Sequence, residues 1–484
     1  MANWNDFRRQ QIFIGGEWCD ARSGKTFDVV DPATDATIGT VPDAGADETR
    51  FAIEAAERAF ETFSMTTAAE RADLLQRLSR ELLANKDALA ELLTREQGKP
   101  LAEARAEVGT SAAYIQWFAE EARRVYGDTV PSPWHDRRLL VTKSPVGVVG
   151  AITPWNFPCS MLARKLGPAL AAGCTVVAKP ASQTPYSALA LALLAQRVGF
   201  PPGTVNVLTG SASTIVGTMM ASKEMRKISF TGSTAVGKTL LRQAADTVKK
   251  VSMELGGNAP FIVFDDADVD RAAEGAVAAK FRNAGQTCVC ANRIFVHAGI
   301  HDRFVEVFVR AVQKLKVGSG LETGTMQGPL IDLNALEKVE QFIADACAKG
   351  GRVVAGGRRH PKGGLFFEPT VVADASTEMH FSQEEIFGPV APIFRFQTEE
   401  EAIALANGTD SGLASYFYTS DLGRAFRVSE RLRFGIVGVN EGIITTEVAP
   451  FGGVKESGMG REGSRSGIED YLDTKYVCIG GLGL

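Results

Sequence analysis

Five short apolar runs joined by helical patterns constrain the fold of this chain more than any other feature. Runs without a polar face are typical of strands buried on both sides, as in parallel sheets. Their alternation with helical spacing predicts an α/β fold whose parallel sheet is covered on both faces. The predicted strands are 146–152, 175–178, 205–208, 227–230 and 251–254, and the predicted helices between them are 160–172, 187–197, 213–221 and 235–245.

A helical region precedes this alternation. Strand-like pieces at 11–18 and 26–30 come first, and residues 47–124 then predict successive amphipathic helices, interrupted once by Gly98-Lys99-Pro100. A chain of 484 residues is too long for one hydrophobic core, so about three structural units are expected.

The composition argues against several classes of function. The net charge of -5 gives no general attraction to nucleic acid or to an anionic membrane. No apolar run approaches the roughly 20 residues of a membrane helix, and residues 1–9 do not begin a secretory signal. Seven cysteines, an odd number, do not make a disulfide framework, and no CxxC or HExxH motif points to a metal site. We therefore expect a cytoplasmic protein that binds no metal, nucleic acid or membrane.

Glycine-rich and polar segments follow four of the predicted strands, at 153–158, 179–182, 231–237 and 255–257. Ligands of parallel sheets bind at the carboxyl ends of the strands, so these segments are candidate ligand contacts. The turn at 232–237 opens a helix, and its free N–H groups could bind a phosphate.

The same turn also matches a P-loop, the phosphate-binding motif of phosphoryl-transfer enzymes. Gly232 and Gly237 bracket four residues before Lys238-Thr239. The acidic residues that could bind its Mg²⁺ are Asp265, Asp266 and Asp268. A phosphoryl-transfer enzyme is therefore an alternative, although it gives no role to the segments 154–156 and 254–257.

Cys288 and Cys290 lie one residue apart, shortly after a predicted helix. Apolar residues at 269, 273, 276, 277 and 281 give that helix its period, with Asp268 as the expected N-cap and Gly285 as the expected stop. Cys288 therefore falls in a loop. A cysteine there acts as a nucleophile or packs as a small apolar residue, and the local pattern leaves both readings open.

Seven motifs together resemble those of the aldehyde dehydrogenase superfamily over nearly the whole chain, and within it those of bacterial succinate-semialdehyde dehydrogenases. They are Pro-Trp-Asn-Phe-Pro at 154–158, Lys-Pro-Ala-Ser at 179–182, Phe-Thr-Gly-Ser at 230–233, Glu-Leu-Gly-Gly at 254–257, the segment 281–288, Glu-Ile-Phe-Gly-Pro at 385–389, and Pro-Phe-Gly-Gly-Val-Lys-Glu-Ser-Gly at 450–458. Against this set, the P-loop pattern is the family's own phosphate-facing turn.

The resemblance implies a domain organisation. A doubly wound parallel-sheet cofactor domain would comprise residues 1–122 and 143–255, and a second α/β catalytic domain would cover 256–445. A small oligomerisation element would combine 123–142 with 463–484. By analogy, the chain would form a homodimer or homotetramer.

The resemblance also implies catalytic and cofactor residues. Cys288 would attack the aldehyde carbonyl, the Asn156 amide would stabilise the oxyanion, and Glu254 would be the general base for thioester hydrolysis. The residues that match cofactor contacts are Thr153, Trp155, Lys179, Ser182, Gly232, Ser233, Glu385 and Phe387. Many NAD-using relatives have Glu where this chain has Ser182, so NADP is the expected cofactor, with NAD possible.

Arg164 and Arg282 match the two arginines that bind the distal carboxylate in succinate-semialdehyde dehydrogenases. An aldehyde with a distal carboxylate, such as succinate semialdehyde, is therefore the implied substrate. Thr445 stands where the family commonly has Ser and adds a methyl group, which keeps glutarate semialdehyde or another ω-carboxylated aldehyde as an alternative. Cys290 is a candidate redox partner of Cys288 through a strained disulfide, with a passive buried thiol as the other reading.

Overall fold

The computed structural model describes residues 2–481 and confirms the predicted alternation: all five strands and four helices lie within two residues of their predicted ends. The strands are β1 (Ile12–Ile14), β2 (Glu17–Cys19), β3 (Thr26–Asp31), β4 (Ala36–Pro42), β5 (Asp128–Val130), β6 (Arg138–Pro145), β7 (Val148–Ile152), β8 (Thr175–Lys179), β9 (Val205–Val207), β10 (Met225–Thr231), β11 (Lys250–Glu254), β12 (Ala259–Val263), β13 (Ala291–His297), β14 (Arg352–Ala355), β15 (Thr370–Ala373), β16 (Val390–Phe396), β17 (Ala414–Tyr418), β18 (Ile436–Val439), β19 (Gly458–Met459) and β20 (Leu472–Ile479). The α-helices are α1 (Ala46–Phe63), α2 (Ala68–Ala84), α3 (Lys86–Gln97), α4 (Leu101–Glu121), α5 (Pro158–Ala172), α6 (Tyr186–Val198), α7 (Ala212–Ala221), α8 (Thr234–Ala244), α9 (Val269–Phe281), α10 (His301–Val312), α11 (Leu333–Ala348), α12 (Glu399–Asn407) and α13 (Leu422–Arg431).

The predicted strands form the centre of an eight-stranded sheet with the order β19-β11-β10-β7-β8-β9-β1-β2. The five strands from β11 to β9 are parallel, whereas the edge strands pair antiparallel. The chain passes from β7 to β8 on one side and later places β10 on the other side of β7. The boundary between β7 and β10 is therefore a topological switch point, where such sheets bind ligands.

Helices cover both faces of this sheet, which confirms the doubly wound α/β class. Val149 and Val176 belong to a core shared with α2 to α6, whereas their neighbours Val148 and Val177 belong to a core shared with α1, α7 and α8. Successive strand residues point to opposite faces, so a strand with two buried faces must be apolar throughout. The continuous apolar runs in the sequence follow from this packing.

A second sheet has the order β14-β15-β16-β13-β12-β17-β18 and is parallel except for β14. The chain crosses from the first sheet to the second through residues 255–258, between the carboxyl end of β11 and the amino end of β12. Carboxyl ends of the first sheet therefore come next to amino ends of the second.

A small antiparallel sheet, β20-β6-β5, pairs strands from the two segments expected to form the oligomerisation element. It differs from the expected bounds at two points. Strand β6 continues to Pro145, and Ile468 and Tyr471 pack into the core of the first sheet because their side chains are apolar. Residues 482–484 of the expected element lie outside the described residues. The three-part domain division and the oligomerising role stay predictions.

The interruption at Gly98-Lys99-Pro100 separates α3 from α4. Gly98 has φ of +92°, and a Cβ atom on it would lie 2.7 Å from the Pro329 ring. A residue with a side chain is therefore disfavoured for two independent reasons. Pro100 then precedes the first residue of α4, a position that proline's fixed φ suits. The break leaves Lys99 between two helices, fully buried.

Helix α9 begins as predicted, since the Asp268 side chain accepts N–H groups from Asp270 and Arg271, both at 3.1 Å. The helix ends at Phe281, earlier than the expected stop at Gly285. Residues Arg282–Gly285 form a 3₁₀ turn in which Asn283 has φ of +52°. A non-glycine residue in that region is strained, and such strain is often found near functional sites. Cys288 follows in a loop, as predicted.

Of the helices within residues 2–481, none combines the length and apolar character needed to cross a bilayer.

Candidate active site

Two cavities meet at Cys288. The first has a volume of about 360 Å³ and adjoins the carboxyl ends of β10 and β11. The second has a volume of about 280 Å³ and is lined partly by α4, α5 and the turn after α9. Met161 and Cys288 line both. A ligand in either cavity can therefore contact the Cys288 side chain.

The loop of Cys288 is fixed by a close backbone contact. A Cβ atom on Gly257 would lie 2.4 Å from the Cys288 carbonyl oxygen, so only glycine fits there. The Asn156 side-chain amide donates to the Gln286 carbonyl at 3.0 Å, which uses one of its two N–H groups. Within residues 2–481 the Cys288 backbone N–H has no acceptor. One N–H of the Asn156 amide and the Cys288 backbone N–H therefore have no acceptor within the described chain, and both residues line the first cavity, so they are candidate donors to an oxyanion.

Glu254 ends β11 and lines the first cavity together with Cys288. It is buried, and neither carboxylate oxygen has a hydrogen-bond partner among the described residues. Burial and, second, the nearby Glu462 carboxylate raise the pKa of Glu254 well above its ordinary value. The raised pKa makes the Glu254 carboxylate a stronger base than an exposed glutamate, which suits a general base.

Burial also raises the pKa of Cys288, to about 12, with Glu385 as the next largest cause. Arg164 and Arg282 act in the opposite direction. The Cys288 side chain is part-exposed, so the thiol can be reached by small molecules. At neutral pH Cys288 is therefore a protonated, part-exposed thiol.

Arg164, Arg282 and Thr445 all line the second cavity, as the resemblance implies. Arg164 is buried, with its guanidinium over the rings of Tyr114 and Phe451 at 4.6 and 4.5 Å. Its Nε and Nη1 lack hydrogen-bond partners within the described chain, and the Glu462 carboxylate lies 3.6 Å away. Buried donors without acceptors cost free energy of folding. An anionic group of a ligand could accept hydrogen bonds from these two Arg164 donors.

Arg282 has no carboxylate within 4.0 Å among residues 2–481. Its guanidinium lies 5.5 Å from the centre of the Phe157 ring. Glu103 also lines the cavity, but its carboxylate accepts the Asn283 backbone N–H at 2.9 Å. The positive charge of Arg282 is therefore not neutralised by a close ion pair.

Five of the eight predicted cofactor residues line the first cavity: Trp155, Gly232, Ser233, Glu385 and Phe387. The Trp155 and Phe387 rings meet edge to face, 5.4 Å between centres. Ser233 caps α8 by accepting the Val236 N–H. Because Gly232 and Ser233 also line the cavity, the amino end of α8 faces it. The Gly257 N–H donates to Glu385 at 3.1 Å, and burial raises the pKa of Glu385 to about 7.

The other three predicted cofactor residues do not line the first cavity. Thr153 and Lys179 lie at the ends of β7 and β8, and burial lowers the pKa of Lys179 to about 8. Ser182 lines a third cavity of about 820 Å³, next to the β3–β4 hairpin. The first and third cavities share Ile331 and Asp332. One extended ligand could therefore reach from Cys288 to Ser182.

The sequence model of the aldehyde dehydrogenase family matches residues 18–477. The chain belongs to that family. It is similar to the 3-sulfolactaldehyde dehydrogenase of Pseudomonas putida, 59% identical over 98% of each chain, and to the NADP(+) succinate-semialdehyde dehydrogenase of Escherichia coli K12, 58% identical over 99% of each. A crystal structure described as an E. coli NADP-dependent enzyme superposes with a TM-score of 0.98 at 57% identity, over 98% of this chain and 99% of that one.

The residues that a P-loop enzyme would use have other partners in this aldehyde dehydrogenase. Lys238 pairs with Glu456 at 2.7 Å, and Asp266 pairs with Arg424 at 2.6 Å. Asp268 caps α9. The family match gives no support to the phosphoryl-transfer alternative, and the glycine pattern lies in the turn into α8. No cluster of three metal-ligating side chains occurs within residues 2–481.

Cys290 is buried, and its thiol donates to the Lys280 carbonyl oxygen at 3.1 Å. A disulfide with Cys288 would require the thiol to leave this hydrogen bond. All seven cysteines are free thiols in the structure. The redox role of Cys290 stays a prediction.

Sequence reasoning missed two charged neighbours of Glu254. The Lys165 ammonium donates to Glu462 and to Thr231, both at 2.7 Å, and all three residues are buried. Lys165 follows Arg164 in α5, whose other residues are mostly apolar, and this pair of charged residues was a usable signal. Its partner could not be found, since Glu462 is 297 residues away along the chain.

The high pKa of Cys288 leads to a prediction for thiol labelling. The thiolate is the reactive form, so the rate of Cys288 alkylation by iodoacetamide should rise about 100-fold from pH 7 to pH 9 without levelling off. Free cysteine, whose pKa is about 8.5, should begin to level off in the same interval. Peptide mass spectrometry would measure labelling at Cys288 and at buried Cys290 separately. A plateau for Cys288 below pH 8 would contradict the assigned pKa.

Proposed function

We propose that this aldehyde dehydrogenase oxidises succinate semialdehyde to succinate with NADP as the hydride acceptor. The observation that carries the proposal is the pair of arginines in the second cavity, Arg164 and Arg282, beside the Cys288 thiol. One has unsatisfied buried donors and the other has no close carboxylate within residues 2–481. An aldehyde whose far end is a carboxylate would supply the missing partner.

In the proposed reaction, the Cys288 thiol loses its proton to solvent, the thiolate adds to the aldehyde carbon, and the carbonyl oxygen takes the negative charge. The free N–H of the Asn156 amide and the Cys288 backbone N–H stabilise that oxyanion. A nicotinamide held beside Trp155 and Phe387 would supply the hydride acceptor, and loss of hydride from the adduct leaves a thioester on Cys288. Water then attacks the thioester while Glu254 takes its proton, and release of the thiolate completes carboxylate formation.

The residues present fit a dinucleotide. The first cavity offers the amino end of α8 for a diphosphate and the Trp155 and Phe387 rings beside the nicotinamide. It continues through Ile331 and Asp332 to the cavity of Ser182, where the adenosine end would lie. Ser182 carries no charge to repel a 2′-phosphate, and the similar E. coli enzyme is named for NADP. We therefore propose NADP as the preferred cofactor and NAD as a weaker one.

Two other substrates remain candidates because both end in an anion. Glutarate semialdehyde is one carbon longer, and Thr445 at the cavity wall is the residue that bears on chain length. A sulfonate tail is the second candidate, since the similar Pseudomonas putida enzyme is named for 3-sulfolactaldehyde. Arginines pair with carboxylate and sulfonate alike.

We also propose that the chain works in the cytoplasm as a homodimer or homotetramer. The free thiols suit a reducing compartment. Side chains on β5 and β20 support the assembly, because Val130, Tyr476 and Ile479 expose apolar surface on this small sheet.

A direct assay tests the proposal. Absorbance at 340 nm should rise when the protein is mixed with NADP and succinate semialdehyde. We expect kcat/KM for succinate semialdehyde to exceed that for butanal, which has the same number of carbons and no carboxylate, by about 100-fold or more, because the neutral substrate leaves both arginines unpaired. Glutarate semialdehyde and 3-sulfolactaldehyde complete the series. If kcat/KM is higher for either of these two aldehydes, that aldehyde replaces succinate semialdehyde as the proposed substrate. If kcat/KM for butanal equals that for succinate semialdehyde, the proposal of an aldehyde with a distal anionic group is overturned.

The role of Arg282 gives a second prediction. The variant Arg282→Ala should raise KM for succinate semialdehyde and lower kcat/KM by about 10- to 100-fold, the usual effect of losing a charged hydrogen bond. Butanal should be affected less than about threefold. The matched control is Arg271→Ala, an exposed arginine on the adjoining helix α9. Equal losses for both aldehydes in Arg282→Ala would count against a carboxylate-binding role.

The role of Ser182 gives a third prediction. A carboxylate at this position would face the 2′-phosphate, so Ser182→Glu should lower kcat/KM for NADP by about 10-fold or more and leave the value for NAD within about threefold. Ser213→Glu, an exposed serine on α7, controls for added surface charge. The proposal fails if the wild-type protein prefers NAD, or if both cofactors lose equally in Ser182→Glu.

A further inference from the structure

Lys99, the residue left between α3 and α4 by the helix break, contacts the segment that carries Asn156. Its ammonium donates to the Asn156 backbone carbonyl at 2.7 Å and to a Glu107 carboxylate oxygen at 2.6 Å. It also lies 3.8 Å from the centre of the Phe157 ring. Lys99 and Glu107 are both almost wholly inaccessible to solvent. The lysine is therefore held by three groups in a dry environment.

Glu107 holds the same segment from its other end. Its second carboxylate oxygen accepts the backbone N–H groups of Cys159 and Ser160, at 3.0 and 3.1 Å. These N–H groups belong to the first turn of α5, where backbone donors have no partner within the helix. The ion pair thus binds residues 156 to 160 at both ends, across the turn from β7 into α5.

The Cys288 side of the site is tied to the same helix. Glu103, one turn before Glu107 on α4, accepts the Asn283 backbone N–H at 2.9 Å. The Asn283 side chain in turn donates to the Asn156 carbonyl at 3.0 Å. Helix α4 therefore supports both the Asn156 segment and the strained turn before Cys288.

Stability alone is a weak reason for this arrangement. A buried ion pair loses its hydration, and well-packed apolar residues of similar volume are often as stabilising. Lys99 and Glu107 instead form hydrogen bonds with backbone atoms of residues 156, 159 and 160, close to the Asn156 side chain. Directional contacts of that kind restrict where the side chain can lie.

We propose that Lys99 and Glu107 are positioning residues, which fix the Asn156 amide relative to the sulfur of Cys288. The inference rests on the oxyanion role proposed for Asn156. Glu107 lines the second cavity, but both of its carboxylate oxygens already have partners in Lys99 and the α5 N–H groups, so neither residue is required to touch the substrate. Their loss should slow thiolate addition and hydride transfer while leaving cofactor binding intact, because displacement of a catalytic group by about 1 Å can cost about 100-fold in rate.

The test measures single-turnover formation of NADPH at saturating NADP, with any aldehyde that the wild-type protein oxidises. Lys99→Met and Glu107→Gln should each lower this rate by about 10- to 100-fold. The dissociation constant for NADP, from fluorescence titration, should change less than about threefold. Glu107→Gln is nearly isosteric and keeps an acceptor for the α5 N–H groups, so it decides the question if Lys99→Met does not fold.

A matched control exists on the neighbouring helix. Glu96 is equally buried and accepts the N–H groups of Tyr186 and Ser187, at 2.7 and 2.9 Å, at the start of α6. None of the hydrogen-bond partners of Glu96 belongs to residues 156–160. Glu96→Gln should therefore leave the single-turnover rate within about threefold of the wild-type value.

A double-mutant cycle separates positioning from general damage. If Lys99 acts through the Asn156 amide, adding Lys99→Met to Asn156→Ala should lower the rate by less than about threefold. Full additivity of the two losses would overturn the inference, as would an unchanged rate in Glu107→Gln. A wild-type protein that oxidises no aldehyde would instead refute the proposed function, so the two failures are distinguishable.

Discussion

The arrangement of the site depends on one backbone contact, between Gly257 and the Cys288 carbonyl oxygen. Residues 255–258 connect the first sheet to the second, and any side chain at 257 would collide with the loop of the thiol. The same glycine donates its N–H to Glu385. A short crossing segment without side-chain bulk therefore brings the carboxyl end of β11, the loop of Cys288 and a cofactor-side carboxylate into one place.

Around that contact the protein buries an unusual number of charged groups. Arg164, Lys165, Glu254 and Glu462 are each less than a tenth exposed. Only the Lys165–Glu462 pair has ordinary hydrogen-bond geometry, and Glu254 is left without a partner in the described chain. Burial of this kind costs stability, so the arrangement suits proton transfer and anion binding better than it suits folding. The low dielectric also strengthens each electrostatic interaction with a bound ligand.

Much of the fold could be predicted from the sequence, since buried parallel strands are apolar on both faces and leave a clear pattern. The edge strands β1 and β2 lie largely within the predicted strand-like piece 11–18, whereas β19 could not be predicted, because it is two residues long and pairs with β11, far away along the chain. Motif resemblance placed Asn156, Glu254 and Cys288 correctly on one cavity, although their roles stay proposals. It gave no hint of Glu462, and Lys99 was visible only as part of a helix break.

The sharing of Cys288 between two cavities has a consequence for the order of events. Aldehyde and dinucleotide would approach the same sulfur through separate compartments, so neither must pass the other. Glu254 lines the first cavity, so in the proposed mechanism the hydrolytic water would reach the thioester from that cavity. The acid product can then depart through the compartment by which its precursor entered. The proposed redox step and the proposed hydrolysis would therefore both take place at the Cys288 sulfur, where the two cavities meet.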